Sequence, residues 1–261
     1  MSDSLHIETT GTGPHLVLLH GWGMHAGIFE PLRRVLAPHW TVHAVDLPGH
    51  GRSRAVDLPE TPAELAQALR QRLPPALWLG WSLGALVAQA AALQAPARVR
   101  GLAVVAGTPR FVAGPDWPHG VPVEVFRQFA IDLAGDWRGT VERFLALEVV
   151  GSTHAQEELR GLRAHVFDHG EPAPGALARG LDWLQHSDLR RHLPGLRVPS
   201  LWIGGRRDRL VPAAALRAAA ELAPAGRDLV IAGAGHAPFL HHAGTIAQSL
   251  AGLRADADAA A

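Results

Sequence analysis

The chain has 261 residues, 48% of them apolar, and its 24 basic side chains balance 24 acidic ones. That length and apolar content suit one large domain or two small ones with a substantial core and exclude disorder of the whole chain, while the charge balance gives no electrostatic case for a nucleic-acid or membrane partner. The absence of cysteine removes disulfides, thiolate metal sites and cysteine nucleophiles; the absence of tyrosine removes a phenolic general acid and leaves sixteen histidines to be weighed.

In chain order, the opening MSDSLHIETTGTG has no basic segment followed by an apolar core, so no secretory signal is expected. Short apolar runs follow at residues 15–20 (HLVLLH), 41–45 (TVHAV), 76–79 (ALWL), 102–106 (LAVVA), 200–203 (SLWI) and 228–231 (DLVI). Most are continuous rather than alternating, as in strands buried on both faces of a parallel sheet. Helical stretches lie between them at 29–36, at 61–73 with Thr61-Pro62 as cap and first turn, and at 83–94, 213–222 and 244–253. Strand alternating with helix predicts an α/β fold, a mostly parallel sheet with helices on both faces. No apolar run is long enough to span a bilayer, so a cytoplasmic protein is expected.

The alternation stops between Thr108 and Leu196. Amphipathic stretches at 123–133, 140–149, 155–167 and 176–184 predict four helices inserted over one edge of the sheet, and Pro194-Gly195 marks the return to the core. Residues 1–108 and 196–261 are therefore expected to form the core in two parts, with 109–195 a helical lid. The tail ADADAAA is expected to fray.

At Gly80-Trp81-Ser82-Leu83-Gly84 a serine stands between glycines where a strand-like run meets an alanine-rich helical run. A side chain on so tight a corner is pushed clear of the backbone, as a nucleophile requires. A helix N-cap serine with packing glycines would give the same five letters, so the rest of the chain must decide. Ligands of open α/β sheets bind beyond the carboxyl ends of the strands. Asp208 follows the fifth run, in GGRRDRLVP, and His236 follows the sixth, in AGAGHAPF.

Ser82, Asp208 and His236 thus occur in α/β-hydrolase order, each after its own strand. A serine hydroxyl needs an imidazole to take its proton, and the imidazole needs a carboxylate to fix its tautomer. His241 and His242 fit the opening of the last helix better, His20 a loop-holding role, and Asp228 begins a strand instead of following one. For the oxyanion, the backbone N–H of Leu83 and that of Trp22 in the loop His20-Gly21-Trp22-Gly23 are the expected donors. The turn-rich Asp46–Ser53 segment is read as support for that loop. No H-E-x-x-H or comparable ligand spacing is present, and neither metal nor cofactor is expected.

HGWGM, DLPGHGRS, GWSLG, the Asp208 loop and GHAPF together resemble the α/β-hydrolase superfamily over nearly the whole chain. More narrowly, WSLGALVA, TVERFLAL from Thr140, Ser187-Asp188-Leu189-Arg190 and HAPF look like the pimeloyl-acyl-carrier-protein methyl ester esterases of biotin synthesis. The resemblance implies a serine carboxylesterase that removes the methyl group masking the far carboxylate of a pimeloyl chain carried on acyl carrier protein. It implies Ser82, Asp208 and His236 as catalytic, Trp22 and Leu83 at substrate-contacting and oxyanion positions, and Phe144, Leu145, Ala146 and Leu147 along the acyl pocket. Arg138, Arg143, Arg160 and Arg163 could grip a carrier protein's phosphate linker and acidic surface. Glu142, Glu148, Glu157 and Glu158 lie among them, so a solvated mixed-charge face is the alternative. Arg110 and the Glu171-Pro-Ala-Pro stretch depart from the family pattern. A monomer is the working expectation.

Dehalogenases and epoxide hydrolases of this fold use an aspartate nucleophile where this chain has Ser82. A general short-chain carboxylesterase, a carbon–carbon bond hydrolase and a cofactor-free perhydrolase remain open on the residues alone. A ligand receptor that kept the fold is the alternative of a different class; an intact triad and oxyanion loop weigh against it.

Overall fold

A computed structural model describes residues 5–259. Seven strands form one sheet in the order β1-β3-β2-β4-β5-β6-β7. They are β1 (Ile7–Thr10), β2 (His15–Leu19), β3 (Thr41–Val45), β4 (Ala76–Trp81), β5 (Val99–Val105), β6 (Ser200–Gly205) and β7 (Gly226–Ile231). All neighbours pair in parallel except β1, which runs antiparallel to β3. β4 and β6 are buried along their whole length, the packing that the continuous apolar runs predict. β1 escapes the sequence reading because Ile7-Glu8-Thr9-Thr10 carries a single apolar residue. Its place at the sheet margin comes from backbone pairing with β3 and from long-range partners, Glu8 with Arg33 and Thr9 with His43, that its own letters do not reveal.

The core helices are α1 (Glu30–Leu36), α2 (Pro62–Arg72), α3 (Leu83–Gln94), α8 (Ala213–Leu222) and α9 (Ala243–Ala259). α1 packs with α9, α2 with α3, and α8 covers β6 and β7, giving an α/β sheet with helices on both faces. Thr61 opens α2 as expected: its side chain accepts the Glu64 N–H, and Pro62 fills the first position, where no donor is needed. α9 corrects the expectation for the tail. Of the ADADAAA tail expected to fray, residues 255–259 continue the helix, because Ala257 packs inward and Asp256 pairs with Arg227 of β7, and residues 260–261 lie outside the described residues.

Between β5 and β6 lie α4 (Val123–Gly135), α5 (Trp137–Val149), α6 (Ala155–Val166) and α7 (Pro174–His186). α5 packs against α4 and α6, and α7 against α4 and α3, so the insertion rests on the core through α7. Its two ends are fastened together. The Leu189 N–H donates to the Pro109 carbonyl at 3.0 Å, and Arg190 bridges Asp116 and Asp188 at 2.9 and 2.7 Å. Arg110, a departure from the family pattern, joins the same network through Asp116 at 3.2 Å and Asp188 at 3.6 Å. No helix among the described residues is long and apolar enough to cross a membrane.

Candidate active site

β4 ends at Trp81 and α3 begins at Leu83, leaving Ser82 alone on the corner with φ 52° and ψ −116°. An L-residue rarely adopts this conformation, and it persists only where the surroundings impose it. The imposition comes from close packing. A Cβ on Gly80 would lie 2.4 Å from the Gly84 carbonyl oxygen, and one on Gly84 would lie 2.4 Å from that of Leu19. Only glycine at both places lets α3 approach the sheet this closely. Ser82 occupies the N-cap position of α3, but its Oγ makes no capping hydrogen bond and instead lies 2.9 Å from His236 Nε2.

His236 Nδ1 lies 2.8 Å from Asp208 Oδ2. An ionised carboxylate only accepts, so Nδ1 carries the proton and Nε2 is left to accept from the serine hydroxyl. Asp208 is fixed in turn, its Oδ1 accepting the N–H groups of Leu210 and Val211 at 2.8 and 3.0 Å. The Trp81 indole N–H donates to the His236 carbonyl at 2.8 Å, and the His236 N–H donates to the Glu148 carbonyl at 3.2 Å. Burial disfavours the His236 cation, but the Asp208 charge, its hydrogen bond and the Glu148 carboxyl outweigh this and hold the imidazole pKa above its ordinary value.

The loop carrying Trp22 touches this corner. A Cβ on Gly21 would stand 3.2 Å from Ser82 Cβ, so the backbone entering Trp22 abuts the serine. His20 holds that loop, its Nδ1 donating to the Gly21 carbonyl and its Nε2 accepting the Leu47 N–H, both at 2.8 Å. Burial, followed by the neighbouring His50, keeps its pKa well below the usual value, which preserves the accepting nitrogen. Asp46 completes the support by accepting from the Ala26 and Arg52 N–H groups. Asp228 instead faces Arg217 at 3.7 Å, away from His236. His241 and His242 fall just before α9.

Trp22 is fully buried, donates its indole N–H to the Leu177 carbonyl of α7 at 2.8 Å, and meets Phe144 of α5 at a ring distance of 4.8 Å. Phe144 in turn meets Phe129 of α4 at 5.4 Å. Phe129 and Leu147 line an open groove of about 580 Å³ between α4 and α5, with Val125 on its floor and Asp132 and Arg143 among its polar lining. Leu145 is fully buried and Ala146 partly exposed. The predicted acyl-contacting residues therefore divide: Phe144 reaches Trp22, Leu147 faces the outer groove, and Leu145 packs inside the insertion.

The basic cluster is not a free positive face. Arg138 pairs with Glu171, Arg143 with Asp132 at 3.3 Å and Arg163 with Glu142 at 2.6 Å, while Arg160 is exposed. The mixed-charge face is also not solvated throughout. Glu148 and Glu158 are 1% and 3% exposed, a correction to the expectation for both. The signal was spacing: Val141, Phe144, Leu145 and Glu148 recur at three- and four-residue intervals, so Glu148 shares the buried face of α5. Both Glu148 carboxyl oxygens are buried without a hydrogen-bond partner. Burial pushes this carboxyl up to about 8, with the Asp208 charge adding to the rise and His236 opposing it.

Two kinds of relationship agree with this arrangement. A family model described as the alpha/beta hydrolase fold matches residues 14–243. Among solved structures, an esterase from Exiguobacterium antarcticum superposes with a TM-score of 0.83 at 22% identity, covering 95% of this chain and 94% of its own. An enol-lactonase from Burkholderia xenovorans gives 0.82 at 21%, covering 96% of each chain. At those identities the likeness concerns the fold. Closer in sequence are proteins named pimeloyl-acyl-carrier-protein methyl ester esterase. The one from Xanthomonas axonopodis pv. citri is 56% identical over 250 residues, 94% of this chain and 97% of its own. That from Stenotrophomonas maltophilia is 54% identical over 246 residues, 94% and 95% of the two chains. With the alpha/beta hydrolase fold matched over most of its length and identity above half to these relatives, the chain belongs to the pimeloyl-acyl-carrier-protein methyl ester esterase family of α/β hydrolases.

Proposed function

We propose that this protein hydrolyses the methyl ester of pimeloyl-acyl-carrier protein to the free carboxylate and methanol, with Ser82 as nucleophile. The observation that carries the reading is the unbroken hydrogen-bond chain from Ser82 Oγ through His236 to Asp208, in a chain so similar to esterases of that name. Ser82 Oγ attacks the ester carbonyl carbon as His236 Nε2 takes its proton. The tetrahedral oxyanion is received by the N–H groups of Leu83 and Trp22, donors of a kind whose loss costs on the order of 100- to 1,000-fold in rate. Collapse breaks the bond to methoxide, which leaves as methanol with the proton from His236. Water then repeats the sequence on the acyl-enzyme, releasing the carboxylate and restoring the serine hydroxyl. Asp208 orients the imidazole and stabilises its cation throughout.

The insertion, residues 109–195, acts as a lid in this reading. The apolar groove lined by Phe129 and Leu147 suits a methylene chain, and the packed rings of Phe144 and Trp22, which separate it from the serine, would shift to admit the chain. The carrier protein would dock on the same side, with Arg138, Arg143 and Arg163 exchanging their carboxylate partners for its acidic surface and Arg160 joining them. Exposed pairs hold only about 0–1 kcal/mol each, so the exchange is inexpensive. Methanol release from pimeloyl-acyl-carrier-protein methyl ester, compared with hydrolysis of a small aryl ester and with Ser82→Ala, tests both levels. Turnover that depends on Ser82 and favours the carrier-bound ester supports the full reading. Turnover of the aryl ester alone would leave a general carboxylesterase.

A further inference from the structure

A second cluster of chemistry-bearing side chains lies where α6 meets the core just beyond His236. His154, the residue before α6, and Glu157, in its first turn, face His241 of the turn that follows Pro238–Leu240. One ligand atom from each of the three lies within 4.8 Å of the other two. The His154 and His241 rings stack with centroids 4.2 Å apart and planes 18° apart. The surroundings add further donors. Glu158 buries an Oε2 that has no partner, and His242 buries an Nε2 that has none. Ser152 ties the two sides of this corner, donating its hydroxyl to Glu158 Oε1 at 2.8 Å and accepting the His154 N–H at 3.1 Å.

A comparable group elsewhere fails the same test. His25, His165 and Asp168 also converge, but His25 Nδ1 accepts the Gly27 N–H at 3.0 Å and its Nε2 reaches the His165 carbonyl at 2.6 Å. Both ring nitrogens are spent on the protein. His154 and His241, in contrast, have no ring hydrogen bond among the described residues, and both sit near the surface, where rotamer changes are fast.

We propose that His154, Glu157 and His241 form a binding site for a divalent transition metal of the zinc type, which fastens α6 of the insertion to the turn that follows His236. Two imidazoles and one carboxylate are a common zinc donor set, with the fourth position left to water or to a neighbouring donor. Magnesium and calcium, which take oxygen ligands, are disfavoured here. The ligands come from sequence positions more than eighty residues apart, so the bound ion acts as a cross-link between two elements and stabilises the folded chain increasingly as free zinc exceeds its Kd.

Titration of chelator-stripped full-length protein with zinc chloride, by calorimetry and by thermal unfolding, tests this. The expected result is one ion per chain and a raised Tm, with binding weakened at least tenfold in the His154→Ala, His241→Ala double variant and in Glu157→Gln. His186→Ala, an exposed histidine paired with Asp182 on α7, should bind as the parent does, and so should Ser82→Ala, which keeps this site separate from the esterase reading. Equal zinc affinity in parent and double variant, one ion per two chains, binding of magnesium as tight as that of zinc, or no binding by the parent would each overturn the proposal.

Discussion

The loops at the carboxyl ends of the strands and the inserted helices are held by different forces. In the loops, Ser82, His236 and Asp208 are at most 5% exposed and each is fixed by short hydrogen bonds, several of them to backbone groups. The insertion meets the core through the Trp22–Phe144 ring contact, the packing of α7 on α3 and a few hydrogen bonds such as that of the Trp22 indole to the Leu177 carbonyl, and is laced outside by exposed ion pairs such as Arg163 with Glu142. Buried hydrogen bonds in a low dielectric hold geometry tightly, whereas exposed pairs are screened and individually weak. Ser82, His236 and Asp208 thus sit on the rigid sheet margin, whereas the outer face of the insertion is held by pairs that exchange at small cost.

The contrast can be broken most severely at Ser82. Ser82→Ala should lower kcat on any ester on the order of 10⁴- to 10⁶-fold while leaving Tm at or above that of the parent, read by steady-state hydrolysis and thermal unfolding. Asp208→Asn should follow, with a loss of about 10⁴-fold, because the amide favours the wrong imidazole tautomer. If either variant kept parental turnover, the proposed roles would fall.

Glu148 sharpens the comparison, since it belongs to the insertion but is buried like the loops. Its carboxyl ionises near 8 in the folded chain and near 4.5 when unfolded, so the unfolded state releases its proton first. The stability associated with the protonated form is complete below about 4.5 and is lost as pH rises toward 8. Glu148→Gln should therefore gain on the parent through that window, by about 4 kcal/mol at pH 8, as measured by urea unfolding across pH. A stability difference that stays flat with pH would rule out the ionisation account. Smallest of all, Arg163→Gln should shift stability by less than about 1 kcal/mol, and less again in high salt.

Much of this was legible in the letters because burial on both faces writes a strand as a mostly continuous apolar run, as β2 through β6 show, while β7 at the sheet margin shows only the short run of Leu229, Val230 and Ile231. The corner at Ser82 was legible because its glycines stand where α3 presses on the sheet, although the choice between cap and nucleophile needed the 2.9 Å contact to His236. β1 was not, since one isoleucine carries no pattern. The buried state of Glu148 and Glu158 was obscured because carboxylates are seldom buried unpaired, so composition argued for solvent while the three- and four-residue spacing argued for the core. The helical end of α9 depended on Ala257 and on Asp256 meeting Arg227, contacts that local propensity does not report.

The backbone at Ser82 has a consequence for engineering. Holding an L-residue at φ 52° and ψ −116° costs of order 1–3 kcal/mol, which glycine, free to adopt positive φ, would not incur. Replacing the serine by glycine should therefore raise the melting temperature as it abolishes hydrolysis. Selection for thermal tolerance alone, without selection for turnover, would drift toward a sturdier and inert protein at this one position.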